Sequence, residues 1–169
     1  MTPRTELVAA EFYQKYIQHV KEDDFRKALE KNTRQFRKFL KKIPRKKIGY
    51  AYAEGKWTIQ EVLQHIIDAE RVFAYRALRC ARMDSIAMPG FDENEWAARS
   101  GAADRSWDDL TEEFRALRRS TELLFGSLND GQLKFTGTAS GHPVNALALG
   151  FIIPGHVLHH IHIIKERYL

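Results

Sequence analysis

Gly155-His156-Val157-Leu158-His159-His160-Ile161-His162 is the most informative stretch of this 169-residue sequence. A helix repeats every 3.6 residues, so His156 and His160 lie one turn apart on one face. The same face has apolar residues on both sides of the pair, namely Leu149, Ile152, Ile153, Ile163 and Ile164. Two imidazoles that point into a core one turn apart form half of a metal site, and a third ligand must come from another part of the chain.

His65 is the candidate for that third ligand. Ala69 and Val72 lie within about 40° of it on a helical wheel, so His65 also faces inward. Three imidazoles with an open fourth position are typical of catalytic zinc sites, although nickel, iron or manganese also accept such ligands. His159 is an alternative to His160, because residues i and i+3 share a face. A buried histidine with a purely structural role is the alternative interpretation of each residue taken alone.

The other histidines and the cysteine are not expected at this site. His162 points away from the apolar face, and His19 and His142 lie in the N-terminal segment and in a loop. Cys80 follows His65 by fifteen residues, about 22 Å along a helix, and is interpreted as a core residue. A single cysteine excludes an intrachain disulfide framework and a cysteine-rich zinc module.

The periodicity of apolar residues predicts an all-α fold with four long amphipathic helices, which is typical of a four-helix bundle. They cover about residues 23–43, 58–82, 106–126 and 144–168, and Thr58 and Glu61 form a capping box at the start of the second. Pro154 is expected to kink the last helix, and no convincing strand is predicted. Residues 23–169 are predicted to form the bundle, with residues 1–22 as a short helical extension packed outside it.

The connection over residues 83–106 contains Pro89-Gly90 and a short predicted helix around residues 93–98. It is long enough to cross the length of the bundle. The second and third long helices are therefore predicted to run parallel, joined by a long crossover instead of a tight hairpin.

Composition and charge limit the classes of partner that the protein is expected to bind. The net charge of +5 does not by itself indicate nucleic acid, and the basic residues at 34–47 alternate with apolar ones as on a solvated helix face. The N-terminus lacks the apolar segment of a secretory signal, and the longest apolar run, residues 146–153, is too short to span a bilayer. We expect a cytoplasmic protein with a small-molecule substrate and no membrane or nucleic-acid partner. Exposed aromatic residues of the N-terminal extension favour a homodimer.

Two carboxylates lie one helical turn from His65, Glu61 before it and Asp68 after it. Either could accept the remote N–H of an imidazole and fix its tautomer. The alternatives are that Glu61 serves only in the capping box and that Asp68 pairs with an arginine.

Arg76 lies three turns along the face of His65 and is also predicted to point inward, where it needs an anionic partner. Asp92 or Glu95 from the long connection could provide that partner, and so could a substrate carboxylate. Phe91, Asp92 and Trp96 are candidates to line or cover the mouth of the pocket, because long connections often contain functional residues.

The sequence resembles the DinB/YfiT-like superfamily. The resemblance rests on residues 57–71 (WTIQEVLQHIIDAER), on 73–78 (FAYRAL), on 89–92 (PGFD) and on 155–160 (GHVLHH), in that order, and covers about residues 24–168. It implies a metal-binding four-helix bundle, often dimeric, with His65, His156 and His160 as the ligands. Pro154 departs from the family pattern, in which a small helix former is more usual.

The resemblance also implies a range of functions, since the superfamily includes thiol S-transferases that use bacillithiol or mycothiol and an isomerase that uses mycothiol. Three hypotheses follow. The first is a metal-dependent enzyme, either a transferase that uses a low-molecular-weight thiol or a hydrolase that uses metal-bound water. The second is a non-catalytic metal-binding bundle. The third is a helical interaction protein with structural histidines.

Overall fold

The computed structural model describes residues 3–169; Met1 and Thr2, at the start of the predicted extension, lie outside the described residues. It is mostly helical, with four long helices, three short ones and one hairpin. The elements in chain order are α1 (Gln14–Ile17), α2 (Phe25–Leu40), α3 (Ile59–Ala81), α4 (Glu93–Arg99), α5 (Trp107–Gly126), α6 (Asp130–Lys134), β1 (Thr136–Ala139), β2 (His142–Asn145) and α7 (Ala146–Arg167). The predicted bundle of four long helices corresponds to α2, α3, α5 and α7.

The starts of the long helices follow from side-chain caps. Thr58 and Glu61 form the predicted capping box of α3, in which Thr58 N–H donates to Glu61 Oε2 at 2.7 Å and Glu61 N–H donates to Thr58 Oγ1 at 3.2 Å. Asp24 caps α2 and Ser106 caps α5 in the same way. Each cap satisfies an N–H group that the first helical turn leaves unpaired.

One buried hydrogen-bond network joins all four long helices. Arg118 of α5 donates to both carboxylate oxygens of Glu70 of α3, each at 2.8 Å, and to Asn32 Oδ1 of α2 at 2.8 Å. The Asn32 amide then donates to the carbonyl of Pro154 in α7 at 3.4 Å. We call these four residues the Arg118 network.

Helix α7 is the central element of the core. Its first half packs in a hydrophobic cluster with α2, α3 and the hairpin, and its second half packs in another with α2, α3 and α5. By length and composition α7 could cross a membrane, but 78% of its most apolar window is buried inside the protein, as in the core helix of a soluble protein. The helix continues unbroken through Pro154, so the predicted register of the histidines that follow is retained.

The N-terminal segment is more deeply integrated than the sequence suggested. It was expected to pack outside the bundle, but Tyr13, Ile17 and Val20 are buried in the first hydrophobic cluster. Gly155 explains the close approach, because a Cβ at this position would lie 2.3 Å from the carbonyl oxygen of Tyr16. Only glycine lets the backbone of α1 contact α7 beside His156.

The prediction that the chain contains no strand was wrong. Strands β1 and β2 pair antiparallel, and the turn between them places Ser140 at φ 53° and Gly141 at φ 78°. Two successive left-handed residues are the signature of a tight hairpin turn. Each strand has only four residues and the second contains Pro143, so neither gives a clear alternating pattern.

The hairpin also anchors the long connection between α3 and α5. Met88 N–H donates to Thr138 O and Ser140 N–H donates to Met88 O, both at 2.9 Å.

The short helix predicted in this connection is α4, and the charged residues of the basic stretch at 34–47 are mostly exposed, as expected. The parallel arrangement of α3 and α5 stays a prediction.

Candidate metal centre

The three histidines selected from the sequence meet where α3 packs against α7. His65 Nε2 and His160 Nε2 each lie 3.1 Å from His156 Nε2, and one ligand nitrogen from each of the three lies within 4.8 Å of the others. Nitrogens bound tetrahedrally to zinc at about 2.0–2.1 Å are separated by about 3.3 Å. The spacing therefore fits a single divalent ion.

The environment keeps these imidazoles neutral. Burial lowers the pKa of His65 to about 4, with Glu93 acting in the opposite direction. Burial, followed by the charges of neighbouring imidazoles, holds the pKa of His156 and of His160 well below the usual range. A neutral imidazole has a free lone pair, so the three rings are in the protonation state that metal binding requires.

One polar atom of the site has no partner. His160 Nδ1 is buried and, among the residues that the structure describes, is the one buried side-chain nitrogen or oxygen without a hydrogen bond. Leaving such a group unpaired costs about 1–3 kcal/mol. An ion bound at Nε2 would not pair Nδ1, so the fit to a metal rests on the spacing of the nitrogens and on the neutral state of the rings.

Aromatic side chains from several segments of the chain surround the three histidines. The Tyr16 ring lies 5.1 Å from that of His156, the Phe73 ring 5.7 Å from His156, and the Trp57 ring 4.8 Å from His65. Within residues 3–169 no carboxylate forms a hydrogen bond with these imidazoles, so packing against aromatic rings restricts their orientation.

The two carboxylates considered as partners of His65 have other contacts. Glu61 bonds to Thr58 in the capping box, and Asp68 accepts from Gln64 Nε2 at 2.9 Å and pairs with Arg71 at 3.6 Å. Neither forms a hydrogen bond with an imidazole. Glu61 therefore serves in the capping box and Asp68 pairs with an arginine, as the alternative interpretation of each residue stated.

The remaining histidines do not contribute to the cluster of nitrogens. His159 packs edge-on against Tyr16, and its ring lies 5.2 Å from that of His160, but its nitrogens are not part of the cluster. His162 is exposed and its ring contacts that of His19 at 4.9 Å. Cys80 is buried against the hairpin, with its sulfur 3.6 Å from Val144 O, and burial raises the pKa of its thiol.

A cavity of about 300 Å³ opens beside the three histidines. Its polar lining includes residues that the sequence analysis did not select: Tyr13, Lys15, Tyr16, Glu93 and Ser140. Among the described residues that line it, Glu93 is the one carboxylate. Tyr13, Lys15 and Tyr16 come from the N-terminal segment and Ser140 from the hairpin turn, and no local sequence pattern connects them with His65.

The predicted pocket residues divide into two groups. Arg76 and Phe91 line the cavity, and they also line an adjoining apolar groove of about 360 Å³ together with Trp96. Asp92 instead caps α4 by accepting from the N–H groups of Asn94 and Glu95.

Arg76 points inward as predicted, but the expected ion pair with Asp92 or Glu95 was wrong. Its Nη1 donates to Tyr13 Oη at 3.1 Å, and its Nη2 donates to Pro89 O at 2.8 Å and to Ser140 Oγ at 2.9 Å. Asp92 is used by the α4 cap, and Glu95 pairs with Arg99 at 3.8 Å.

Comparisons with known proteins identify the family of the chain and support its fold. The model of the DinB superfamily matches residues 28–164, which include all three histidines. The structure of YfiT from Bacillus subtilis, described as "a probable metal-dependent hydrolase with an unusual four-helix bundle topology", superposes with a TM-score of 0.68 at 19% identity and covers 99% of this chain and 93% of that one. No curated protein matches the sequence. The chain therefore belongs to the DinB superfamily.

Proposed function

We propose that this protein is a metal-dependent enzyme of the hydrolase type, with His65, His156 and His160 as the metal ligands. The observation that supports it is three neutral imidazole nitrogens within 4.8 Å of one another, beside a cavity of about 300 Å³. The description of YfiT as a metal-dependent hydrolase points in the same direction. A cavity of this size suits a small-molecule substrate.

Zinc or nickel fits this donor set best, with iron or manganese as alternatives. A divalent ion with an open position lowers the pKa of bound water toward 7 and polarises a substrate carbonyl or phosphoryl oxygen.

The residues of the chain have separate tasks around that ion. The Glu93 carboxylate lines the cavity near His65 and is placed to accept a proton from the attacking water. The aromatic side chains of Tyr16, Trp57 and Phe73 exclude bulk water from the reacting groups. Lys15 and Arg76 give the cavity a positive side.

A thiol S-transferase is the second candidate. Lys15 lines the same cavity and would favour the thiolate form of a low-molecular-weight thiol over the neutral thiol. The two reactions differ in the nucleophile, so the assay must offer both a water-dependent and a thiol-dependent reaction.

A homodimer, a cytoplasmic location and the absence of nucleic-acid and membrane partners stay predictions.

The test compares the unaltered protein with His65→Ala, each supplied with zinc, nickel and manganese during expression. We expect one metal ion per chain in the unaltered protein and less than a tenth of that in the variant, because two imidazoles bind a divalent ion far more weakly than three. His162→Ala is the matched control, since His162 is an exposed histidine on α7 outside the cluster.

Activity is then measured on a panel of small carboxylic and phosphoric esters, and separately as consumption of a low-molecular-weight thiol with chlorodinitrobenzene. Loss of ester hydrolysis in His65→Ala with retention in His162→Ala supports the hydrolase. Thiol consumption with the same dependence would replace it with the transferase. Substoichiometric metal in the unaltered protein would contradict both.

A further inference from the structure

Arg76 is a buried cation whose partners in the protein are all neutral. Its side chain is 2% exposed, and its three acceptors are the hydroxyl groups of Tyr13 and Ser140 and the carbonyl of Pro89. Among the residues that the structure describes, no carboxylate forms an ion pair with it. A charge buried in this way is costly unless an opposite charge joins it.

The guanidinium still has donors to offer. An arginine has five N–H groups in a planar fork, and the three bonds to neutral acceptors use three of them. The hydroxyl groups of Tyr13 and Ser140 accept from Arg76, so each keeps its own O–H to donate elsewhere. Together these three side chains present an array of donors and no anionic acceptor.

This array lies on the cavity that the three histidines share. Arg76, Tyr13 and Ser140 all line it. The Phe73 ring links the two ends, lying 6.0 Å from the Tyr13 ring and 5.7 Å from the His156 ring. Lys15 adds a second positive charge to the same lining, against the single negative charge of Glu93.

We propose that Arg76, Tyr13 and Ser140 form a binding site for an oxyanion, a carboxylate or a phosphate, and that the substrate is therefore an anion. The anionic group binds at Arg76 while the reacting group lies at the histidines. This assignment rests on the proposed function for the reaction itself, but the oxyanion site exists in the protein without a metal. Arginine suits the task because its guanidinium stays charged and keeps two N–H groups, one on Nη1 and one on Nε, that can donate to the oxygens of such a group.

The test measures binding of benzoate, phenyl phosphate and the neutral ester methyl benzoate to the full chain freed of metal by a chelator. We expect the better of the two anions to bind about tenfold or more tightly than the ester, as a charge-assisted hydrogen bond provides. Whether benzoate or phenyl phosphate binds better identifies the carboxylate or the phosphate as the natural group. Equal affinity of ester and anions would overturn the proposal.

Variants of Arg76 test whether this residue causes the preference for anions over the neutral ester. Arg76→Gln should abolish the preference for the anions, and Arg76→Lys should keep only part of it because lysine lacks the fork. Arg79→Gln is the control, an arginine on the same helix that pairs with Asp84 and lines neither the cavity nor the adjoining groove. A preference that survives in Arg76→Gln contradicts the assignment. If that variant does not fold, the comparison of acid and ester in the unaltered protein and in Arg76→Lys decides.

The two proposals fail in different ways. A preference for anions in a protein that takes up no stoichiometric metal would contradict the metal-dependent enzyme and support the oxyanion site. Stoichiometric metal with equal affinity for methyl benzoate and for both anions would contradict the oxyanion site and leave the metal-dependent enzyme standing.

Discussion

Two arginines are buried in this bundle, and their surroundings differ. Arg118 is 0% exposed and donates to both oxygens of Glu70, which is itself 2% exposed, and to Asn32. Arg76 is nearly as buried, but its partners are two hydroxyls and a carbonyl, and it lines the same cavity as His160, whose Nδ1 has no hydrogen-bond partner among the described residues. The Arg118 network is complete within the protein. The region of Arg76 and the three histidines is not.

The difference separates structural polar groups from functional ones. A buried network in which each charge has its partner fixes the positions of the helices. A buried region with unpaired donors and neutral imidazoles reduces stability, and such regions are expected where a ligand supplies the missing partners. We therefore propose that the unpaired region binds a metal ion and an anion, whereas the Arg118 network fixes the positions of the helices around it.

Lowering the pH should have the largest effect on the free energy of unfolding, because it acts on the three histidines of the unpaired region. Their pKa values in the folded protein are lowered by burial, to about 4 for His65 and well below the usual range for His156 and His160, while unfolded histidine titrates near 6.5. Below about pH 6.5 the unfolded state therefore binds more protons. The metal-free protein should lose up to about 4 kcal/mol of stability per pH unit between about pH 6 and 4, or about 1.4 kcal/mol per histidine.

Urea unfolding of the metal-free protein at pH 7 and pH 5 measures this loss. His160→Gln removes one titrating group, so its loss per pH unit should be smaller by about a third. Equal slopes in the two proteins, or a free energy of unfolding that is unchanged at pH 5, would contradict the neutral buried state of the histidines.

Arg118→Met tests the complete network. The substitution leaves the Glu70 carboxylate buried without its cation, and we expect a loss of about 3–5 kcal/mol in the free energy of unfolding. Urea denaturation at pH 7 gives the value. A loss below about 1 kcal/mol would show that water or another cation reaches Glu70 and that the network is not closed.

Arg76→Met should have the smallest effect on stability, within about 1 kcal/mol of the unaltered protein. The substitution removes three hydrogen bonds to neutral groups, each with a net value of about 1 kcal/mol, and it also removes the desolvation penalty of an uncompensated charge. The same denaturation experiment compares it directly with Arg118→Met. A loss as large as that of Arg118→Met would mean that Arg76, like Arg118, has a structural role.

The part of the site that the sequence predicted depends on helical spacing. His156 and His160 share a face because they are four residues apart, and His65 could be selected from the apolar residues around it. The capping box at Thr58 and Glu61 is likewise a local pattern, and it sets the start of α3.

What could not be predicted depends on contacts between distant segments. Tyr13 reaches Arg76 across 63 positions and Ser140 across 64, so neither bond leaves a periodic signal. The hairpin that places Ser140 has strands too short to show alternation. The role of Gly155 was also hidden, because it depends on the backbone of Tyr16 and not on the helix that contains the glycine.

The most direct test of the metal centre is anomalous diffraction at the zinc edge from crystals of the protein loaded with one equivalent of zinc. The structure predicts one strong peak about 2.0–2.1 Å from the Nε2 atoms of His65, His156 and His160. A peak at His19 and His162 instead, or no ordered peak at His65, His156 and His160, would contradict the proposed metal centre.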